Sequence, residues 1–169
     1  MTLADLVGVV RAVATIPIAL AILVDARPLA LLLFAAAAAS DGLDGWLARR
    51  TGTVTARGAL LDPMADKVLV TGVAAALAVA GELDVWLVSA VTLREVIVAG
   101  LRAAAYARAI PIVTGREAKA KTALEMIGVA LAVAAPGVSL AGGAFLVTAL
   151  VIGVLTIPHY VGRPIHPLA

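Results

Sequence analysis

Cysteine is absent from the 169 residues, aromatic types make up only 4% of them and charged types only 14%. The first absence excludes disulfides, thiolate ligands and a thiol nucleophile. The shortage of charge excludes an ordinary soluble domain, in which roughly a quarter of the residues are charged. Histidine is scarce too, and His159 and His166 both stand in the C-terminal tail, where a solvated or headgroup-facing place is expected of them rather than catalysis. What fills the chain is apolar, with 63% hydrophobic types and a mean hydropathy of +1.08. That composition reads as an integral membrane protein. A hydrocarbon core about 30 Å thick takes roughly 20 residues per helical span, so the length allows about six spans. They are expected to form one domain over residues 1–169. Arg11 lies inside the first apolar run and no basic segment precedes it, so that run is expected to be a retained span and not a cleaved leader.

Apolar runs bounded by turn or charge signals predict an all-α, polytopic protein with six transmembrane helices. They are placed near Leu3 to Val24, Pro28 to Ala48, Pro63 to Ala80, Val85 to Ala107, Ala120 to Ala135 and Gly143 to Ile157. The second and fourth connections and the tail hold Arg49, Arg50, Arg57, Arg108, Arg116, Lys119, Lys121 and Arg163, whereas the first, third and fifth connections hold only Arg27. Basic residues accumulate on the cytoplasmic side of a membrane protein, so both termini are expected there.

Against this apolar background stands SDGLDGWLARRTGTVTARGALLDPMADK, residues 40–67, with four aspartates. On helices, Asp41 and Asp44 lie three apart and Asp62 and Asp66 four apart, so each pair shares a face and two helices can converge four carboxylates. Asp62 before Pro63 also reads as an N-cap with proline at the first helical position. Acids beside membrane spans are costly and usually have a functional partner. An oxygen-rich cluster suits a hard divalent cation such as magnesium, one or two of them. Gly45 and Ala48 lie one turn on from Asp41 and Asp44, and Gly58 stands in the connection. These small residues permit close helix packing or close approach of a ligand. With carboxylates and Arg49 beside them, a phosphate ligand is the better reading.

The run Asp41-x2-Asp44-Gly45-x2-Ala48-Arg49-x8-Gly58-x3-Asp62-x3-Asp66 resembles the signature of the CDP-alcohol phosphotransferase family at every fixed position. With eight fixed positions, a chance match is on the order of one in ten million, so the resemblance carries weight. It implies a six-helix membrane fold, a homodimer and a CDP-linked lipid in a cavity open to the membrane. It further implies that Asp41, Asp44, Asp62 and Asp66 hold two magnesium ions, with manganese as a substitute. Gly45, Ala48, Arg49 and Gly58 would line the nucleotide site, and Asp66 would also be the general base. In that chemistry a metal polarises the pyrophosphate while a carboxylate takes the proton of the attacking hydroxyl.

The acceptor is read from the fourth and fifth helices. LREVIVAGLR carries Arg94, Glu95 and Arg102, and AKAKTALE carries Lys119 and Lys121. Snorkelling arginines, a helix-to-helix salt bridge and cytoplasmic flanking lysines would explain some of these. Arg94 is too deep in its span for easy snorkelling. Taken together, Arg94, Arg102, Lys119 and Lys121 make a second basic site, as an acceptor bearing its own phosphate needs. REVIVAGLR followed by AKAKT resembles the phosphatidylglycerophosphate synthase branch, which joins CDP-diacylglycerol to sn-glycerol 3-phosphate. The chain departs from that branch at Asp5 and Gly8, where asparagine and threonine are expected, at Ala118 for glycine and at Glu125 for glutamine.

The expected activity is therefore transfer of the phosphatidyl group of CDP-diacylglycerol to glycerol 3-phosphate at the cytoplasmic face of the cell membrane, with release of CMP. The same fold could instead serve inositol phosphate, serine or phosphatidylglycerol. A divalent-cation transporter would want its acids spread through the membrane depth, and these cluster on one side. Membrane lipids are expected partners and nucleic acid is not.

Overall fold

The computed structural model describes residues 3–51, 58–108, 116–134 and 139–157. Among them it is all-helical: α1 Leu3–Leu23, α2 Arg27–Thr51, α3 Gly58–Val79, α4 Val85–Ala107, α5 Arg116–Ala134 and α6 Ser139–Leu155. Six helices in the expected order answer the apolar runs, and α4 has the expected bounds. The helices α3, α5 and α6 begin four or five residues earlier than the apolar runs do. One local expectation is corrected. As α3 starts at Gly58, Asp62 stands inside the helix and does not cap it, and Pro63 is not at its first position.

α3 packs on α1, α4 and α5, while α6 closes the bundle against α5 and α4. Ile18 and Ile22 of α1, Leu69, Val73 and Leu77 of α3, Val129 and Val133 of α5 and Leu146 of α6 meet in the interior, each with under 2% of its surface exposed. Two crossings are set by glycine. At the α5–α6 crossing a Cβ on Gly142 would lie 2.6 Å from the Gly128 carbonyl oxygen, so only glycine lets the two backbones come this close. At the α1–α3 crossing a Cβ on Gly72 would lie 2.5 Å from Cγ2 of Thr15.

The turns after α1 and α3 are built alike. Asp25 at φ 58° and Gly81 at φ 77° take the left-handed conformation. The Ala26 amide reaches the Ala21 carbonyl at 2.8 Å and the Glu82 amide reaches that of Leu77 at 2.9 Å. Both are helix ends in which a left-handed residue reverses the chain and satisfies the last carbonyls. Asp84 then caps α4 by accepting the Leu87 amide at 2.8 Å. Arg27 ties the two turns together, donating to Asp25 at 2.8 Å and to Glu82 at 2.6 Å. The hydrogen bond to Asp25 and the charge of Glu82 raise the Arg27 pKa above its ordinary value, although partial burial opposes them.

The outer surface is apolar. Val9, Val13, Ile16 and Leu20 of α1, Leu32 of α2, Leu93 and Val96 of α4 and Val151 of α6 are all exposed. Arg11, Arg94, Glu95, Lys121 and Glu125 are buried instead. Among the described residues no helix offers a stretch long and apolar enough to qualify as a membrane span.

Candidate active site

Charged residues converge where α3, α4, α5 and α6 meet. Lys67 is one residue beyond Asp66 on α3, Arg94 and Glu95 lie midway along α4, and Lys121 and Glu125 lie in the first half of α5. Glu95 is 3% exposed and is the centre of the group. Its Oε1 accepts from the Arg94 guanidinium and from Lys121 Nζ, and its Oε2 faces Lys67 Nζ at 2.6 Å. Lys121 also meets Glu125 Oε2 at 2.8 Å, one turn along its own helix. A buried carboxylate needs such partners, since an unpaired charge in an apolar interior is costly.

Arg94 reaches across to α6. Its Nη2 donates to the Gly153 carbonyl at 2.9 Å and lies 3.4 Å from the Thr156 hydroxyl. Gly153 makes that contact possible, since a Cβ there would come within 2.7 Å of Arg94 Nε.

A cavity of about 390 Å³ opens beside this group, lined by Asp66, Lys67, Arg94, Arg102, Ala118, Lys119, Lys121, Thr122, Ala123 and Met126. Its wall carries five cationic side chains and one carboxylate. Adding Glu95 and Glu125 behind the wall makes five cations against three carboxylates among the described residues. Such a cavity favours a ligand with negative charge, and burial strengthens the attraction.

The four residues expected to hold an acceptor phosphate, Arg94, Arg102, Lys119 and Lys121, are brought together on this wall with Asp66. Asp41, Asp44, Gly45, Ala48 and Arg49 stand on the second half of α2, and Gly58 and Asp62 on the first part of α3. The side chains of these seven lie outside the described residues, as do His159 and His166 altogether. Among the described residues no three acidic, histidine or cysteine side chains form a metal-holding cluster. Sequence reasoning missed Lys67. The signal was Glu95, a carboxylate deep in an apolar helix that had to find cations on other helices.

The chain matches the model of the CDP-alcohol phosphatidyltransferase family over residues 1–155. It belongs to that family. Among curated relatives, a Mycoplasma genitalium protein named CDP-diacylglycerol--glycerol-3-phosphate 3-phosphatidyltransferase is 39% identical over 97 residues, covering 57% of this chain and 41% of the relative. A Cereibacter sphaeroides protein of the same name is 36% identical over 134 residues, 75% of this chain and 61% of the relative. A Mycobacterium tuberculosis protein named "Probable phosphatidylglycerophosphate synthase" is 32% identical over 144 residues, 85% of this chain and 69% of the relative. The chain thus spans between 41% and 69% of the length of these three. Membership in a CDP-alcohol phosphatidyltransferase family is the class of enzyme that the aspartate signature led one to expect, and the relatives' names agree with the branch read from REVIVAGLR and AKAKT.

Proposed function

We propose that the chain transfers the phosphatidyl group of CDP-diacylglycerol to sn-glycerol 3-phosphate, giving phosphatidylglycerophosphate and CMP. The observation that carries this is the shared cavity: Asp66, an acid of the family-like signature, lies on one wall with Lys67, Arg94, Arg102, Lys119 and Lys121. An acceptor that is only an alcohol needs a base. One that also bears a phosphate monoester needs the base and a set of cations beside it.

Asp66 takes the proton of the acceptor hydroxyl as its oxygen bonds to the phosphatidyl phosphorus and the bond from that phosphorus to CMP breaks. The cationic wall holds the acceptor's phosphate and so orients that hydroxyl. Gly45, Ala48, Arg49 and Gly58 receive the nucleotide. The chemistry of the donors fits a hard divalent cation, since Asp41, Asp44, Asp62 and Asp66 offer only oxygen and stand on α2 and α3, which pack against each other. They would hold two magnesium ions, or manganese in their place, and a bound ion would supply polarisation of the pyrophosphate.

The protein is proposed to cross the cell membrane six times as a homodimer, with termini and cavity facing the cytoplasm. Support comes from the mean hydropathy of +1.08, the apolar exterior with charge turned inward and helices of 17 to 25 residues. The absence of cysteine makes a clean test available. Single cysteines at Glu82 and Arg108 should label from opposite sides of the membrane, and labelling of both from outside intact cells would overturn the arrangement. For the activity, the assay is CMP release by purified protein with CDP-diacylglycerol, magnesium and a panel of acceptors. Glycerol 3-phosphate should far exceed serine, inositol phosphate and phosphatidylglycerol, and equal turnover of any of these would overturn the acceptor assignment.

A further inference from the structure

Glu95 touches three cations from three helices, Lys67 of α3, Arg94 of α4 and Lys121 of α5. All three line the cavity, whereas Glu95 does not. Like charges gathered this closely and away from water repel one another and are driven to swing apart. A carboxylate shared among them opposes this. The groups facing it are not equivalent. Arg94 spends its Nη2 on the Gly153 carbonyl of α6, and Lys121 is also paired with Glu125. Glu95 is ion-paired to both Lys67 and Lys121, which reach the cavity from α3 and α5.

We propose that Glu95 is a positioning residue for the acceptor: it holds the Lys67 and Lys121 ammonium groups in place on the cavity wall so that together they take a phosphate monoester. This rests on the acceptor reading given above, but its physical content is narrower, a phosphate site assembled by a carboxylate that never touches the phosphate. The sign of one substitution separates this from a mere background charge. Glu95→Gln makes the wall more positive by one unit, so if Glu95 were only a nearby negative charge, anions would bind more tightly. If it positions the lysines, anions bind more weakly in spite of the added positive charge.

The experiment is calorimetric binding of inorganic phosphate to the full chain in lipid nanodiscs, wild type against Glu95→Gln and Glu95→Asp, with no CDP-diacylglycerol present. Loss of charge-assisted contacts should weaken phosphate binding about 10- to 100-fold in Glu95→Gln, with Glu95→Asp between it and the wild type. In turnover assays the KM for glycerol 3-phosphate should rise in parallel, while that for CDP-diacylglycerol stays within about twofold because the residues proposed for the nucleotide, Gly45, Ala48, Arg49 and Gly58, include neither Glu95 nor the two lysines. Tighter or unchanged phosphate binding in Glu95→Gln overturns the proposal, as does a wild type that binds no phosphate or a KM for CDP-diacylglycerol that rises in step. Should Glu95→Gln fail to fold, unchanged phosphate binding in Glu95→Asp overturns it equally. Wild-type turnover of serine in preference to glycerol 3-phosphate would sink the acceptor reading while leaving the phosphate-binding result to decide this one.

Discussion

The two halves of the bundle treat charge in opposite ways. At the turns after α1 and α3, one arginine meets two carboxylates, Asp25 and Glu82, and the set is closed on itself. Around the cavity, one carboxylate meets three cations, with Arg102 and Lys119 on the same wall. The first arrangement fastens two turns and holds more negative charge than positive, so it does not draw an anion. The second carries an excess of one sign beside open space, which is what a binding site for the opposite sign requires. Buried ion pairs are weak evidence for stability, so a lopsided cluster is better explained by a ligand than by the fold.

If the cavity half is the working half, its substitutions should dominate activity in order of closeness to the chemistry. Asp66→Asn should cost the most, lowering CMP release by roughly 100- to 10,000-fold as expected for loss of a general base. Chelation of divalent cations should abolish release in the wild type, and added magnesium should restore it. Next comes Arg102→Ala, expected to raise the KM for glycerol 3-phosphate about 10- to 100-fold with CDP-diacylglycerol binding kept. Near-normal turnover of Asp66→Asn, or a normal acceptor KM in Arg102→Ala, would break the contrast between the halves.

Stability should respond to the packing rather than to the charges. In Gly142→Ala the new Cβ meets the Gly128 carbonyl at a distance that real contacts do not reach, so α5 and α6 must part. A loss of about 1–3 kcal/mol is expected, read as a lower melting temperature. The smallest effects sharpen the comparison from its two edges. Lys119 is exposed on the cavity wall, so Lys119→Ala should raise the acceptor KM only about two- to fivefold, because water and salt screen it. Glu82→Ala, at the closed set, should cost at most about 1 kcal/mol of stability and leave the acceptor KM alone. A shift in acceptor KM in Glu82→Ala would show that the two halves are coupled.

Much of this was legible in the chain itself. α4 has the bounds read from its apolar run, and the turns DAR and GELD lie where their residues put them, because glycine and aspartate at a helix end act within a few positions. The alternative of Asp62 as a cap arose for a related reason. Aspartate followed by proline is a local stop signal, but α3 continues through it from Gly58. The grouping of Arg94, Arg102, Lys119 and Lys121 could be suspected because four basic residues fall on two apolar helices, with Arg94 too deep in its span for easy snorkelling.

The number, order and kind of helices, the family and the residue types of its signature were determined by sequence, since periodicity, composition and fixed spacing are properties of neighbours along the chain. Lys67 and Glu95 are 28 positions apart, and Arg94 meets Gly153 across 59 positions of sequence. Whether such residues touch depends on how the helices cross, and the crossings depend on small contacts such as Gly128 with Gly142. Only the tertiary structure could decide that Glu95 has its partners on three helices, because that charge is balanced across space and leaves no periodic trace along the chain.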